Sequence, residues 1–93
     1  MYKAIVCCKA GMGTGMLLKI KADQVIKEND FPIQTIHGSL DTLATFDGEI
    51  VITMSDLAED LVGRFPQIIG IDRVIDKEEM RSKIAAALEA LSR

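Results

Sequence analysis

The sequence predicts a single α/β domain over residues 1–93, built as a four-stranded parallel sheet flanked by helices, with strands in the order 2-1-3-4. Three observations predict it. Short, β-branched apolar runs alternate with longer segments whose apolar residues recur at helical spacing, the pattern of right-handed β-α-β crossovers. The first run, Ile5-Val6-Cys7-Cys8, is apolar throughout, as suits a strand covered on both faces. It passes through a loop with glycines at 11, 13 and 15 straight into a helical pattern.

The elements follow in order. Tyr2 to Cys8 is the first strand. A helix is expected from Thr14 to Asn29, with Leu17, Leu18, Val25 and Ile26 on its apolar face and Lys19, Lys21, Lys27 and Glu28 in water. Asn29-Asp30 and Pro32 stop it. Pro32 to His37 is the second strand, anchored by Ile33 and Ile36, and Gly38-Ser39 breaks it. Leu40, Leu43 and Phe46 repeat every three residues, which suggests a short helical turn. After the Asp47-Gly48 turn, Glu49 to Met54 is a strongly β-branched third strand. Ser55 is an N-cap candidate for a helix carrying Leu57, Leu61 and Val62, which Gly63 ends. Pro66 to Ile71 is the fourth strand, with Ile68, Ile69 and Ile71. Asp76 is a second N-cap with Glu79 at capping-box spacing, opening a final helix lined by Met80, Ile84, Ala87, Leu88 and Leu91.

Ninety-three residues suffice for one core. A net charge of -3 argues against nucleic-acid binding, which requires a basic face. No apolar run approaches the roughly 20 residues of a membrane span, and the start of the chain does not resemble a signal peptide, so a soluble intracellular protein is expected. The two cysteines are adjacent. Neighbours on a strand point to opposite faces, so a structural disulfide is not expected, nor is a zinc site with so few ligands. Cys7 is assigned to packing and Cys8 to reactivity.

In a parallel sheet, sites form beyond the carboxyl ends of the strands at a topological switch point. Cys8 and its loop fall there, as do Gly38-Ser39, Met54-Ser55-Asp56 and Asp72-Arg73. Four chemistries compete for the loop. Dinucleotide binding fails because Met16 stands where G-x-G-x-x-G needs its last glycine. A nucleotide P-loop fails because no lysine follows a correctly placed glycine. A cysteine phosphatase needs an arginine six residues after the thiolate, and Thr14 stands there, so the transition-state clamp is missing. A phosphoryl carrier needs only a nucleophile, inward-facing N–H groups and exclusion of water. Cys8 supplies the first. Gly11 and Gly13 let the backbone approach a phosphate, the amides from Ala10 to Gly15 can face it, and Thr14 can donate from its hydroxyl.

Cys8-Lys9-Ala10-Gly11-Met12-Gly13-Thr14 resembles the C-G-x-G-x-G-[ST]-S loop of the enzyme IIB components of the bacterial phosphoenolpyruvate-dependent sugar phosphotransferase system. Met16-Leu17-Leu18-Lys19-Ile20-Lys21-Ala22-Asp23-Gln24 is similar to the helix of the ascorbate-type IIB proteins, where M-K-x-x-V-D-Q is typical. Length and strand order agree along the whole chain, and the lactose/chitobiose and galactitol IIB proteins share the Rossmann-like fold without this helix text. The resemblance implies a phosphocysteine at Cys8, formed from a phosphohistidine of enzyme IIA. Residues Lys9, Ala10, Gly11, Met12, Gly13, Thr14 and Gly15 would form the phosphate cradle. The acceptor implied is a sugar, L-ascorbate, held by the membrane component enzyme IIC, which would bring this cytoplasmic protein to the inner face of the membrane. No metal or organic cofactor is implied. Two positions depart from the pattern: Lys9 replaces a glycine, and Gly15 replaces a hydroxyl residue, removing one phosphate donor.

Other residues admit plainer readings. His37 is a strand-end residue or a relay for a proton or phosphoryl group. Met12 and Met16 form a pliable docking patch, or Met16 caps the core and Met12 is incidental. Ser55 and Asp56 cap a helix on the rim that carries Cys8. Lys19 and Lys21 are solvated helix residues.

Overall fold

The computed structural model describes residues 2–7, 12–38, 40–61 and 63–92, and for residues 12–15 and 40 it describes the backbone. The elements are β1 (Tyr2–Val6), α1 (Met12–Glu28), β2 (Ile33–His37), α2 (Leu40–Leu43), β3 (Ile50–Met54), α3 (Ser55–Leu61), β4 (Gln67–Ile71) and α4 (Lys77–Leu91). The sheet runs β2-β1-β3-β4 and every pair is parallel, as expected from the alternation of strands and helices.

Strand alternation divides the core in two. Ala4, Val6, Ile33, Ile50, Ile52, Ile69 and Ile71 face Leu18, Ala22, Val25 and Ile26 of α1 and Met80, Ile84 and Ala87 of α4. Ile5, Cys7 and Val51 face Leu43 of α2 and Leu57 and Leu61 of α3. The two central strands are therefore buried on both sides, which is why Ala4-Ile5-Val6 and Ile50-Val51-Ile52 are apolar without interruption.

Several boundaries and anchors differ from expectation. Helix α1 begins two residues early, so Gly13 and Gly15 sit in its first turn rather than in a loop. Its buried stripe is Leu18, Ala22, Val25 and Ile26. Leu17, a quarter-turn from Leu18, is 38% exposed. Ile36 is 46% exposed. It lies on the opposite face from Ile33, where the single turn of α2 does not cover the edge strand. That turn is tight: Ala44, Thr45 and Phe46 each donate to the carbonyl three residues earlier. Three residues per turn accounts for the three-residue repeat of Leu40, Leu43 and Phe46. Ser55 is the first residue of α3 rather than its cap, because β3 runs into the helix without a spacer. Ser39 and Val62 lie outside the described residues.

The expected stop signals act as such. Helix α1 closes with Phe31 N–H donating to Ile26 O and Asp30 N–H to Lys27 O, while Asp30 takes the left-handed conformation at φ 54°. This is the paired closure normally given to glycine. Gly63, after α3, has φ 83°.

The last row of the sheet on the α2/α3 face is made of small residues. Gly38 N–H donates to Val6 O, Cys7 N–H donates to Ile52 O, and Thr53 pairs with Gly70. A Cβ on Gly70 would stand 2.8 Å from Ala58 Cβ and 3.2 Å from Ser55 Cα. Helix α3 thus rests directly on the backbone of β4. Beneath it Thr53 is fully buried, and its hydroxyl has no hydrogen-bond partner among the described residues. Such a group is unfavourable by about 1–3 kcal/mol.

Two substitutions test this row. Gly70→Ala is expected to destabilise the domain by about 1–3 kcal/mol by forcing α3 outward. Thr53→Val, which keeps the shape and removes the unpartnered hydroxyl, is expected to stabilise it by about 1 kcal/mol. Urea denaturation should show the two midpoints moving in opposite directions at unchanged slope.

Candidate functional site

The connections leaving β1 and β3 diverge. Helix α1 packs on one face of the sheet and α3 on the other, although β1 and β3 are hydrogen-bonded neighbours. The crevice between their carboxyl ends is the topological switch point of this sheet.

Cys7 N–H extends the β1 ladder by one bond, 3.1 Å to Ile52 O, and its side chain is fully buried against the α2/α3 layer. The packing role expected for Cys7 is observed. Cys8, Lys9, Ala10 and Gly11 lie outside the described residues. They join the end of β1 to Met12, the first residue of α1. Met12, Gly13, Thr14 and Gly15 are the first turn of that helix, and the roles expected of the Thr14 hydroxyl and the Met12 side chain fall outside what is described. The first amides of a helix have no intrahelical acceptor and carry the positive end of its dipole. No acidic residue sits in this first turn. Two glycines there weaken the helix by roughly 1 kcal/mol each relative to alanine, a cost that close approach of an anion to the backbone would explain.

The remaining rim residues divide into structural and exposed. At the start of α3, Asp56 accepts the Leu57 N–H at 2.8 Å, so the carboxylate rather than Ser55 serves the helix end. His37 is exposed at the end of β2, beside Val6. Met16 is 55% exposed, which excludes the core-capping reading. Lys19 is not simply solvated: it meets Asp23 at 2.7 Å, and Asp23 also accepts from the Thr35 hydroxyl of β2. A groove of about 250 Å³ lined by Lys3, Gln34, Ile36, Phe46 and Asp47 lies on the α2 side of β2, away from the crevice.

The Asp72-Arg73 stretch is held by a residue whose role the capping-box spacing does not reveal. Asp76 caps α4 as expected, accepting Glu79 N–H at 3.1 Å. Glu79 does not reach back to Asp76. It instead accepts the amides of Asp72 and Arg73 at 2.8 and 2.9 Å and pairs with Lys83 at 2.7 Å. Lys83 also donates to Gly70 O on the edge strand, which guards that edge against further pairing. Burial opposes the Glu79 charge, but the Lys83 and backbone hydrogen bonds and the Lys83 cation outweigh it and hold the carboxyl at about 2. The Glu79 hydrogen bond raises the Lys83 pKa in turn. This cluster fastens a loop.

A parallel sheet whose switch point receives the N-terminus of a long helix, with no acidic residue in its first turn, defines a class of α/β domain suited to anions at that point. Within that class the sequence settles the family. Residues 3–86 match the family described as the lactose/cellobiose-specific IIB subunit of the PTS system, and the chain belongs to that family. No curated protein sequence matches it significantly. Membership gives the domain a phosphoryl-transfer role in a sugar phosphotransferase system, and implies IIA and IIC partners in general. No helix among the described residues is long and apolar enough to cross a membrane.

The Glu79 contacts predict an acid-dependent stability. A carboxyl held below its ordinary 4.5 contributes fully above that pH and progressively less as pH falls toward about 2. Glu79→Gln should therefore lower stability at pH 7 and flatten the acid limb between those two values, measured by urea denaturation at stepped pH.

Proposed function

We propose that this IIB domain is an ascorbate-type phosphoryl carrier whose nucleophile is Cys8. The family match over residues 3–86 carries the reading, with a cysteine one residue beyond the buried Cys7 at the switch point. The choice of ascorbate rests on the likeness of Met16 to Gln24 to the ascorbate-type helix.

The transfer is two in-line displacements. The Cys8 thiolate attacks the phosphorus of an enzyme IIA phosphohistidine; the S–P bond forms as the N–P bond breaks and the imidazole leaves. The hydroxyl of a sugar held by enzyme IIC then attacks the phosphocysteine; the O–P bond forms, the thiolate leaves, and the hydroxyl proton passes to solvent. Amides from Ala10 to Gly15 and the Thr14 hydroxyl hold the equatorial oxygens, and the dipole of α1 favours both the thiolate and the phosphoryl charge. Lys9 adds a positive charge beside the nucleophile. Both leaving groups are good, so no arginine clamp is required. The protein acts in the cytoplasm at the face of its membrane partner.

Mass spectrometry after incubation with phosphorylated IIA should show one added phosphoryl group, lost in Cys8→Ser and retained in Cys7→Ser. An aryl phosphate should give no steady turnover; sustained hydrolysis would point to a phosphatase instead.

A further inference from the structure

The two edges of the sheet are finished differently. On β4 the Lys83 ammonium donates to Gly70 O and opposes further pairing. On β2, Tyr2 N–H donates to Pro32 O and Gly38 N–H donates to Val6 O, so the even-numbered positions serve β1. Alternation then turns the N–H and C=O groups of Thr35 and His37 outward. The strand Ile33-Gln34-Thr35-Ile36-His37 contains no proline, lysine or arginine, and its register with β1 is unbroken. It has none of the usual devices that protect an edge.

Beside this edge, on the α2 side, lies the groove of about 250 Å³. Its apolar part is Ile36, 46% exposed, and the Phe46 ring. That ring is held in place, with its centroid 6.2 Å from that of Phe65 and with Gly48 leaving room for it beside Lys3. The groove also carries one cation, Lys3, and one anion, Asp47. Neither forms an ion pair among the described residues. Glu49 is engaged with the Lys3 backbone amide, at 2.8 Å, rather than with its ammonium.

The geometry points to a second copy of this chain as the occupant, joined by antiparallel pairing of β2 with β2 about a two-fold axis at Thr35. A two-fold contact needs a surface complementary to itself. One unpaired cation and one unpaired anion beside a shared apolar floor meet that need, because rotation sets Lys3 of each copy against Asp47 of the other. A partner surface of single sign would leave one of the two facing its like. In this register the outward groups of Thr35 bond those of Thr35 in the second copy, and Ile36 lies across from Gln34 of the second copy, next to the groove. The two sheets become one of eight strands. Both switch-point crevices stay open, since each lies between β1 and β3, away from β2. One five-residue strand and one groove offer less than the roughly 800 Å² per partner of a standard interface, so the dimer is weak, with a Kd on the order of 100 micromolar.

The test is sedimentation equilibrium of the full chain between about 5 and about 500 micromolar, with amide exchange followed by NMR over the same range. The average mass should rise with concentration toward twice that of one chain, and the Thr35 and His37 amides should become more protected as it does. Ile36→Lys, at an exposed position, should keep the chain folded and monomeric throughout. Asp47→Lys should weaken association by about tenfold or more, and Lys3→Asp combined with Asp47→Lys should return it to within about threefold of wild type. A chain that stays monomeric at every concentration overturns the proposal. So does a dimer indifferent to Ile36→Lys and Asp47→Lys, which must then form through another surface, or a dimer that the charge exchange fails to restore. A monomer whose binding of phosphorylated IIA or of the membrane component is lost in Ile36→Lys would assign the groove to that partner and overturn it equally.

Discussion

The geometry depends on one constraint: β1 and β3 are neighbours buried on both faces, yet the chain leaves them toward opposite layers. Burial fixes their register, because a one-residue slip would turn Ile5 and Val51 into the wrong core and break two packed layers at once. Divergent exits then open a crevice where the two strands stop. No side chain has to be arranged to create that opening. It follows from topology, and it places the N-terminus of a long helix beside the end of β1. The same constraint places Cys7, which completes the ladder and faces inward.

The α2/α3 layer is held by closeness rather than bulk. Both helices are short, four and seven residues, and neither buries much alone. The row of Gly38, Cys7, Thr53 and Gly70 lets them approach the sheet where a larger residue would lift them. Thr53 shows the cost. Its methyl fills space like valine, but its hydroxyl has no partner among the described residues. The α1/α4 layer follows different rules, with long helices and large aliphatic residues. The rim on one side is therefore set by backbone contact, and on the other by a carboxylate, Glu79, that gathers the loop after β4.

Much of this was legible before any coordinates. Periodicity separated strands from helices because the central strands are continuously apolar and α1 and α4 are long enough to show a stripe. The misreadings share a cause: a linear pattern does not say which layer covers a residue. Ile33 and Ile36 both look like anchors, but they face opposite layers, and only one is covered at that edge. Leu17 and Leu18 are equally apolar, and the 3.6-residue period admits only one of them. Glu79 stood at capping-box spacing, a local motif, while its actual partners are amides of the preceding loop. The proposal of Cys8 as nucleophile comes from chemistry alone: a thiol, three glycines and no arginine at the sixth position fit transfer better than hydrolysis. The family match agrees with that reading at the level of the domain and does not select the sugar.

Helix α1 serves the fold and the site at once, and its sequence shows the compromise. Glycines in the first turn weaken the helix where its amides are to be free, and the packed stripe of Leu18, Ala22 and Val25 restores what is lost. Because that stripe supplies the anchoring, the outward face of the same turns is released from any structural duty. Apolar residues there gain nothing for the folded monomer, and a soluble surface would select against them.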